Sequence, residues 1–575
     1  MIAAREEARI KREAEQNDQE DEKIENPLDE LVKQHEIEKK RKAHPSMNWK
    51  GNYETIKKQD NSSKDYYAKR RRRIQGKSNE DGYNPKIKSL FQLCVDFLVQ
   101  HFEYVNSLGP VENSIRNAIC EELVAKGKFN GDAFEAIAEE GITALELIDC
   151  AHVTQDQLCK ALQKLIPAGL QAIILNHSGR CFGTKAVNTI IKAANSNKTS
   201  KINDMSDPQS LPDFPFSSGF TTQSSLFALS IGGAYLLKDT DISELIKTYQ
   251  SSLSSLEFKA CPLLGNLFCT SISNCFSSSS NTSVQNGTLL ELSLKDLSVS
   301  KEDLISLAST DALRNLKNLK LQQINSVDDD VIQALLKATT SSDPNSTNPD
   351  KKHCNLEGID LSENYLLTDA ILSDIRMCNC SGHLRSLELS GLQDLTCHGL
   401  EAFFTINIPG LPRAPMLRKL NLSSCSYEAI TDKVIINAAT ASSTKINSST
   451  ALENTIDDAA SANNSKITNM NLSTMGGFVH LNISGAIVSD ECMEVLASTC
   501  STSLEELNVS FCNQISDKGL GYLVEKVNDQ FNKLHIWGCA QLTDEFLDGH
   551  ARVESDYPLD IVGAWMKKSG GASMR

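Results

Sequence analysis

Residues 504–520 read LEELNVSFCNQISDKGL. Three apolar side chains, Leu504, Leu507 and Val509, are spaced as Leu-x-x-Leu-x-Leu. A cysteine follows at 512 and a Ser-Asp pair at 516–517. The same phrase opens at Ile142, Leu170, Leu226, Leu253, Leu289, Leu316, Leu356, Leu384, Leu417, Phe478 and Phe531, with start-to-start steps of 26, 27 and 28 the commonest. That spacing is a leucine-rich repeat. One strand-plus-helix unit cannot bury its apolar face alone, so neighbours stack into a curved solenoid. The expected fold is an α/β leucine-rich repeat horseshoe of the cysteine-containing type, over 141–565, with Pro558–Val562 as a last edge strand and 566–575 as a tail.

Four longer steps carry polar inserts at 195–215, 276–287, 339–353 and 440–470. They are expected to loop out without breaking the stack. In Ile430-Thr431-Asp432, Val488-Ser489-Asp490, Ile515-Ser516-Asp517, Leu542-Thr543-Asp544 and Leu367-Thr368-Asp369, the Thr/Ser-Asp pair is expected to cap the helix that follows.

Ahead of the repeats, residues 85–140 predict a helical cap. Leu90, Leu93, Cys94, Phe97, Leu98, His101, Phe102 and Val105 recur at helical spacing and predict one inward face, stopped by Leu108-Gly109-Pro110. A second helix is expected over Val111–Ala125, with Ile115, Ile119, Leu123 and Val124 inward, and a third around Asp132–Glu140. Residues 1–84 are polar and predict a disordered arm. The N-terminus lacks the apolar stretch of a signal peptide, and no run of apolar residues is long enough to span a membrane.

Charge is uneven. Lys39 to Lys77 holds 14 basic and 3 acidic residues, whereas residue 91 onward holds 36 basic and 56 acidic. The clusters Lys39-Lys40-Arg41-Lys42 and Lys69-Arg70-Arg71-Arg72-Arg73 suit nuclear import or weak, sequence-independent DNA contact; a solvated charge run is the plainer alternative. Gly76-Lys77-Ser78 lacks the leading glycine of a phosphate loop, because position 71 is Arg. No nucleophile–base–acid set stands in a recognisable context, so a non-enzymatic role is expected, with no cofactor.

The 17 cysteines are not spaced as a disulfide framework. Cys150, Cys261, Cys425, Cys512 and Cys539 each stand three residues after the last apolar residue of a phrase, where a small inward side chain is wanted. Buried thiols in a reducing compartment are the reading. Cys378-Asn379-Cys380 is a close pair with no second pair at zinc spacing, so no metal is expected. On the strand positions facing the inner surface, His480, Asn508, Lys533, His535 and Trp537 are candidate contacts for a protein substrate.

Ser89-Leu90-x-x-x-Cys94-x-x-x-Leu98 matches the box by which ubiquitin-ligase adaptors hold elongin C, an apolar helix face laid in a groove. The plain alternative is that Leu90, Cys94 and Leu98 are core residues of the cap. Residues 89–162, from SLFQLCVDFLVQHFEY to HVTQDQLCKAL, resemble the Rad-seven family, the leucine-rich repeat subunit of the global-genome nucleotide-excision-repair factor. The repeats also resemble those of F-box receptors, without an F-box Leu-Pro opening. The resemblance runs from about residue 85 to the end. It implies a nuclear protein, with cytoplasmic residence as well, that works with a SNF2-type ATPase and presents a substrate within an elongin–cullin ligase. Leu108-Gly109-Pro110-Val111 stands where a cullin-contacting motif would fall. The paired cysteines that fungal members often carry ahead of the repeats are absent. A leucine-rich scaffold unrelated to repair is the runner-up.

Overall fold

In a computed structural model, the described residues are 89–109, 111–203, 225–277, 288–342, 352–378, 382–443, 476–552 and 559–563. Both basic clusters, Lys39–Lys42 and Lys69–Arg73, lie outside them. The chain divides into two compact units, Met1–Leu93 and Cys94–Arg575.

In the second unit the repeat phrases become strands of one parallel, 13-stranded sheet ordered as in the chain, from Ala144–Leu147 to Asp560–Val562. Each central apolar residue of a phrase pairs with the next: Leu145 with Ile173, Leu229 with Leu256, Leu481 with Leu507, Leu507 with Leu534. These side chains stack in one ladder, every one from Leu145 to Leu534 nearly inaccessible to solvent. A helix follows each strand and buries its own apolar stripe, such as Cys492, Met493, Leu496 and Ala497 on Asp490–Thr499. The unit is an α/β leucine-rich repeat solenoid.

The inserts leave the ladder intact. Lys419–Asn421 pairs in register with His480–Asn482 across the longest of them. Their bounds differ from the expectation. Helix Thr184–Asn203 runs well into 195–215, and helix Asp432–Ser443 takes the start of 440–470. Within 339–353 the chain forms a ribbon, with Thr340–Ser342 antiparallel to Lys352–Cys354.

Three positions repeat along the unit and explain its regularity. Two residues past every phrase but the first, which has Asp149 there, the backbone turns left-handed. Gly233, Gly391, Gly485 and Gly538 occupy that position, and so do His177, Ala260, Asp296, Gln323, Glu363, Ser424 and Phe511, all with positive φ. One residue later comes the cysteine. The Sγ atoms of Cys425, Cys512 and Cys539 donate to the carbonyls of Leu389, Ile483 and Val509, the phrase ends of the preceding repeats, at 3.1, 3.3 and 3.1 Å. Asn364 fills the same slot, and its Nδ2 donates to the Leu321 and Leu361 carbonyls at 2.7 and 2.8 Å. The third position is the Thr/Ser-Asp pair, which splits its work. Ser489, Ser516 and Thr543 cap their own helices, as does Thr396, which Cys397 follows; Thr431, expected to cap helix Asp432–Ser443, does not, its hydroxyl being buried with no hydrogen-bond partner among the described residues. The aspartate instead reaches across: Asp490 accepts from Ser516 N and Oγ at 2.7 and 2.5 Å, and Asp432 from Ser489 N and Oγ at 2.7 Å each. Asp369 does the same for Thr396, at 2.8 and 2.5 Å. Each carboxylate thus ties one repeat to the next.

The cap helices are shorter than expected. They run Leu90–Gln100, Asn113–Ala125 and Gly131–Ile137, with a 3-10 turn at Phe102–Tyr104. Ile119 and Leu123 are buried as expected, while Ile115 and Val124 are half-buried. Arg116, also buried, donates to the carbonyls of Ile137 at 2.6 Å and Gly109 at 2.9 Å. It closes the third helix and fixes the segment after the first. Pro110 lies outside the described residues. Among the described residues no helix is long and apolar enough to cross a membrane.

Candidate docking surface

The first helix departs most from the sequence expectation. Its start is a reciprocal cap: Gln92 N donates to Ser89 Oγ at 3.2 Å, and Ser89 N donates to Gln92 Oε1 at 3.1 Å. On its opening turn, which belongs to the first unit, Leu90 is 77% exposed, and Phe91 and Leu93 are exposed too.

The rest of the helix belongs to the second unit and is firmly seated there. Val99 and Phe102 are buried, and Val95 and Leu98 pack against the core. Lys128 Nζ donates to the Gln100 carbonyl at 2.7 Å, and Lys126 pairs with Asp96 at 2.8 Å. The other face of this same stretch meets solvent. Cys94 and His101 are exposed, Phe97 is 67% exposed, and Tyr104 just beyond is 77% exposed.

The expected inward face holds only in part: Phe102 is buried and Leu98 and Val105 pack against the core, while Leu90, Leu93, Cys94, Phe97 and His101 are exposed. Val95, Val99 and Phe102, spaced four and three, make the seated stripe. Cys94, Phe97 and His101, also at 3–4 spacing, make the outward one in the second unit, and Leu90 and Leu93 of the first unit are exposed as well. Leu98 sits at the border, half-buried. Both faces are apolar, so periodicity alone does not choose between them. Large apolar side chains left in water along one helix face mark a protein contact.

The sheet's open face carries a second candidate. Glu506 is its hub, with His535 Nε2 at 3.0 Å, Lys533 Nζ at 3.4 Å and His480 Nδ1 at 3.5 Å. Burial pushes the Glu506 carboxyl up, but the hydrogen bond from His535 and the charge of Lys533 outweigh it. The group is held below its ordinary value. Sequence reading placed His480, Lys533, His535 and Glu506 on this inner surface but did not show that the carboxylate gathers the other three. Nearby, Asn508 Oδ1 accepts from Ser510 N at 3.0 Å, and the Trp537 backbone N donates to Ser510 Oγ at 3.2 Å.

Earlier on the same face is a concavity of about 470 Å³, lined by Ser230, Glu257, Lys320, Asp360, Glu388 and Lys419 among others. One ion pair lies within this lining, and Glu257 meets a lysine beside it. Lys419 bridges Glu388 at 2.7 Å, and Glu257 accepts from Ser230 at 2.5 Å and meets Lys259 at 3.0 Å.

Comparison with known proteins gives three findings. A leucine-rich repeat family model matches residues 500–524. No curated protein matches the chain. Among solved structures, the yeast complex of Rad7 and Elc1 is similar with 14% identity and a TM-score of 0.48, over 88% of this chain and 97% of that one. An internalin from Listeria monocytogenes is similar with 15% identity and a TM-score of 0.35, over 78% and 92%.

Proposed function

We propose that the chain is a non-enzymatic adaptor of an elongin–cullin-type ubiquitin ligase that serves nuclear DNA repair. The outward face of helix Leu90–Gln100 would be the seat of elongin C. One observation carries this reading: Leu90 and Cys94 of the elongin-type box are exposed to solvent, while Val99 on the opposite face anchors the helix. A box whose residues were core would leave nothing to dock. Here an apolar stripe stands ready on a helix already folded and capped, so little ordering cost remains at binding. Phe97 and Tyr104 extend the stripe, and large aromatics of this kind supply much of the energy of such contacts.

On this reading the sheet face, with Glu506 and its three basic neighbours, receives the protein substrate. The repair setting, the SNF2-type ATPase partner and nuclear residence rest on the sequence resemblance. The basic clusters Lys39–Lys42 and Lys69–Arg73 would add import and weak DNA affinity. Loss of neither property on deleting residues 1–80 would remove that part.

The test is affinity for purified elongin C. In the double variant Leu90→Ala, Cys94→Ala, binding should fall at least tenfold while thermal melting stays near that of the parent, because both side chains are exposed. A folded double variant that binds as the parent does would remove the ligase reading and leave the scaffold reading in place.

A further inference from the structure

In the later repeats, one strand position on the open face of the sheet holds the same side chain three times. Asn421 pairs in register with Asn482, and Asn482 with Asn508, on the strands Lys419–Asn421, His480–Asn482 and Glu506–Asn508. His535 continues the row on the next strand. Each asparagine uses its oxygen in the same way. The Oδ1 atoms of Asn421, Asn482 and Asn508 accept from the backbone N of Ser423, Ser484 and Ser510 at 3.1, 3.2 and 3.0 Å. That bond closes the strand end and holds the amide with its nitrogen turned away from the serine. All three asparagines are half-buried, and among the described residues their Nδ2 groups donate to no protein atom.

The strand end itself does not call for an amide. Asp360 stands two strands earlier in the same row, linked to Asn421 through Glu388, and its Oδ1 accepts from Ser362 N at 3.1 Å. A carboxylate therefore closes the strand end as an amide does. What asparagine adds is a pair of N–H donors. Neighbouring strands lie about 4.8 Å apart, so the three amides make a row of neutral donors that crosses the strands along the stack. Next to the row, Glu506 gathers His480, Lys533 and His535, three basic side chains around one carboxylate. A face with donors in excess suits a ligand rich in acceptors. From residue 91 onward the chain has 56 acidic and 36 basic residues, which works against a polyphosphate backbone. An extended polypeptide offers a carbonyl oxygen at every residue without that charge.

We propose that Asn421, Asn482 and Asn508 bind the main chain of an extended segment of a partner protein, laid across the strands along the stack. Their Nδ2 groups donate to carbonyl oxygens of the segment. Toward the His535 end of the row, a carboxylate side chain of the segment meets the basic groups around Glu506. The segment is unfolded where it binds, because a folded surface spends its carbonyls on its own helices and sheets. Donors that read main chain give affinity without demanding one sequence, and the carboxylate fixes where the segment sits. The inference deepens, and rests on, the reading of the sheet face as the seat of a protein substrate; it does not depend on elongin docking.

A phage-displayed library of short, unstructured peptides is panned on the full-length protein, and the affinity of the enriched peptides is measured for the parent and for the double variant Asn482→Asp, Asn508→Asp. This variant keeps the oxygens that close the strand ends, as Asp360 does, and loses the donors. It should melt near the parent, while affinity for the enriched peptides falls roughly tenfold or more. The double variant Asn482→Ser, Asn508→Ser adds no charge and should show the same loss. If no peptide is enriched, the inference is overturned and a folded partner is left for the sheet face. It is overturned as well if the peptides bind both double variants as they bind the parent. Lys533→Glu then separates the two readings: peptide binding lost there removes only the amide row, and binding unchanged removes the sheet face as a protein seat too. Tighter binding of oligothymidylate than of every enriched peptide would also overturn it, in favour of nucleic acid.

Discussion

At Gly538 the backbone turns through φ +66°, and a methyl group there would meet the Phe511 ring at 2.5 Å. Gly538→Ala is therefore expected to cost about 1–3 kcal/mol, from the left-handed backbone and the clash together. Gly521 is the contrasting case: it lies in helix Asp517–Lys526 with nothing within 4 Å of an added methyl. Gly521→Ala should stabilise by about 0.5–1 kcal/mol through helix propensity. Urea melts of the two variants should shift in opposite directions, and a shared direction would refute the local geometry. Asn364, 1% exposed, makes a third case, since it also accepts from Ile324 N at 2.9 Å. Asn364→Ala strands three backbone groups and should cost roughly 2–4 kcal/mol. The cysteines in this slot were legible in the sequence because their distance from each phrase is fixed. The left-handed turn one residue earlier was not, since seven unlike residue types occupy it beside glycine.

Among the elements, the tie between successive helices is the feature that sequence reading half-saw. The caps at Thr368, Ser489, Ser516 and Thr543 were legible, because a cap acts within three residues of itself, whereas the expected one at Thr431 did not form. The aspartate's reach was not: Asp490 finds Ser516 26 residues on, a distance visible only once repeats stack. Asp490→Ala is expected to cost about 1–3 kcal/mol and to speed amide exchange at Ser516 before the core strands open. Unchanged exchange at that amide would show that the carboxylate is only a surface decoration. The first helix teaches the same lesson about faces. Its existence and span were nearly readable, but which stripe turned inward depended on partners such as Phe102 and Lys128 and not on period.

For the molecule as a whole, stability is a chain of nearest-neighbour interfaces. Leu507→Asp would bury an unpaired carboxylate between Leu481 and Leu534, so the C-terminal repeats should unfold at a cost of several kcal/mol. Limited proteolysis would show cleavage spreading from that point, and an unchanged fragment pattern would contradict the ladder. The same end of the unit carries an acid limit. Glu506 is held below its ordinary value, so the folded state binds fewer protons than the unfolded one as pH falls. Its contribution is complete above the unfolded carboxylate value of about 4.3 and disappears as pH drops through the lower folded value. Glu506→Gln should flatten that part of the stability profile and leave the neutral plateau's slope unchanged. Repeat count, order and register were all written in the phrase. The grouping of His480, Lys533 and His535 around one carboxylate was not, because it joins three strands.

The central claim is that the outward face of helix Leu90–Gln100 is a docking face. Hydrogen exchange of the full chain, with and without saturating elongin C, tests it directly. The account predicts new protection concentrated in residues 90–104, with the repeat strands from Ala144 to Val562 unchanged. Protection that falls on the sheet face instead, or none anywhere, would contradict it.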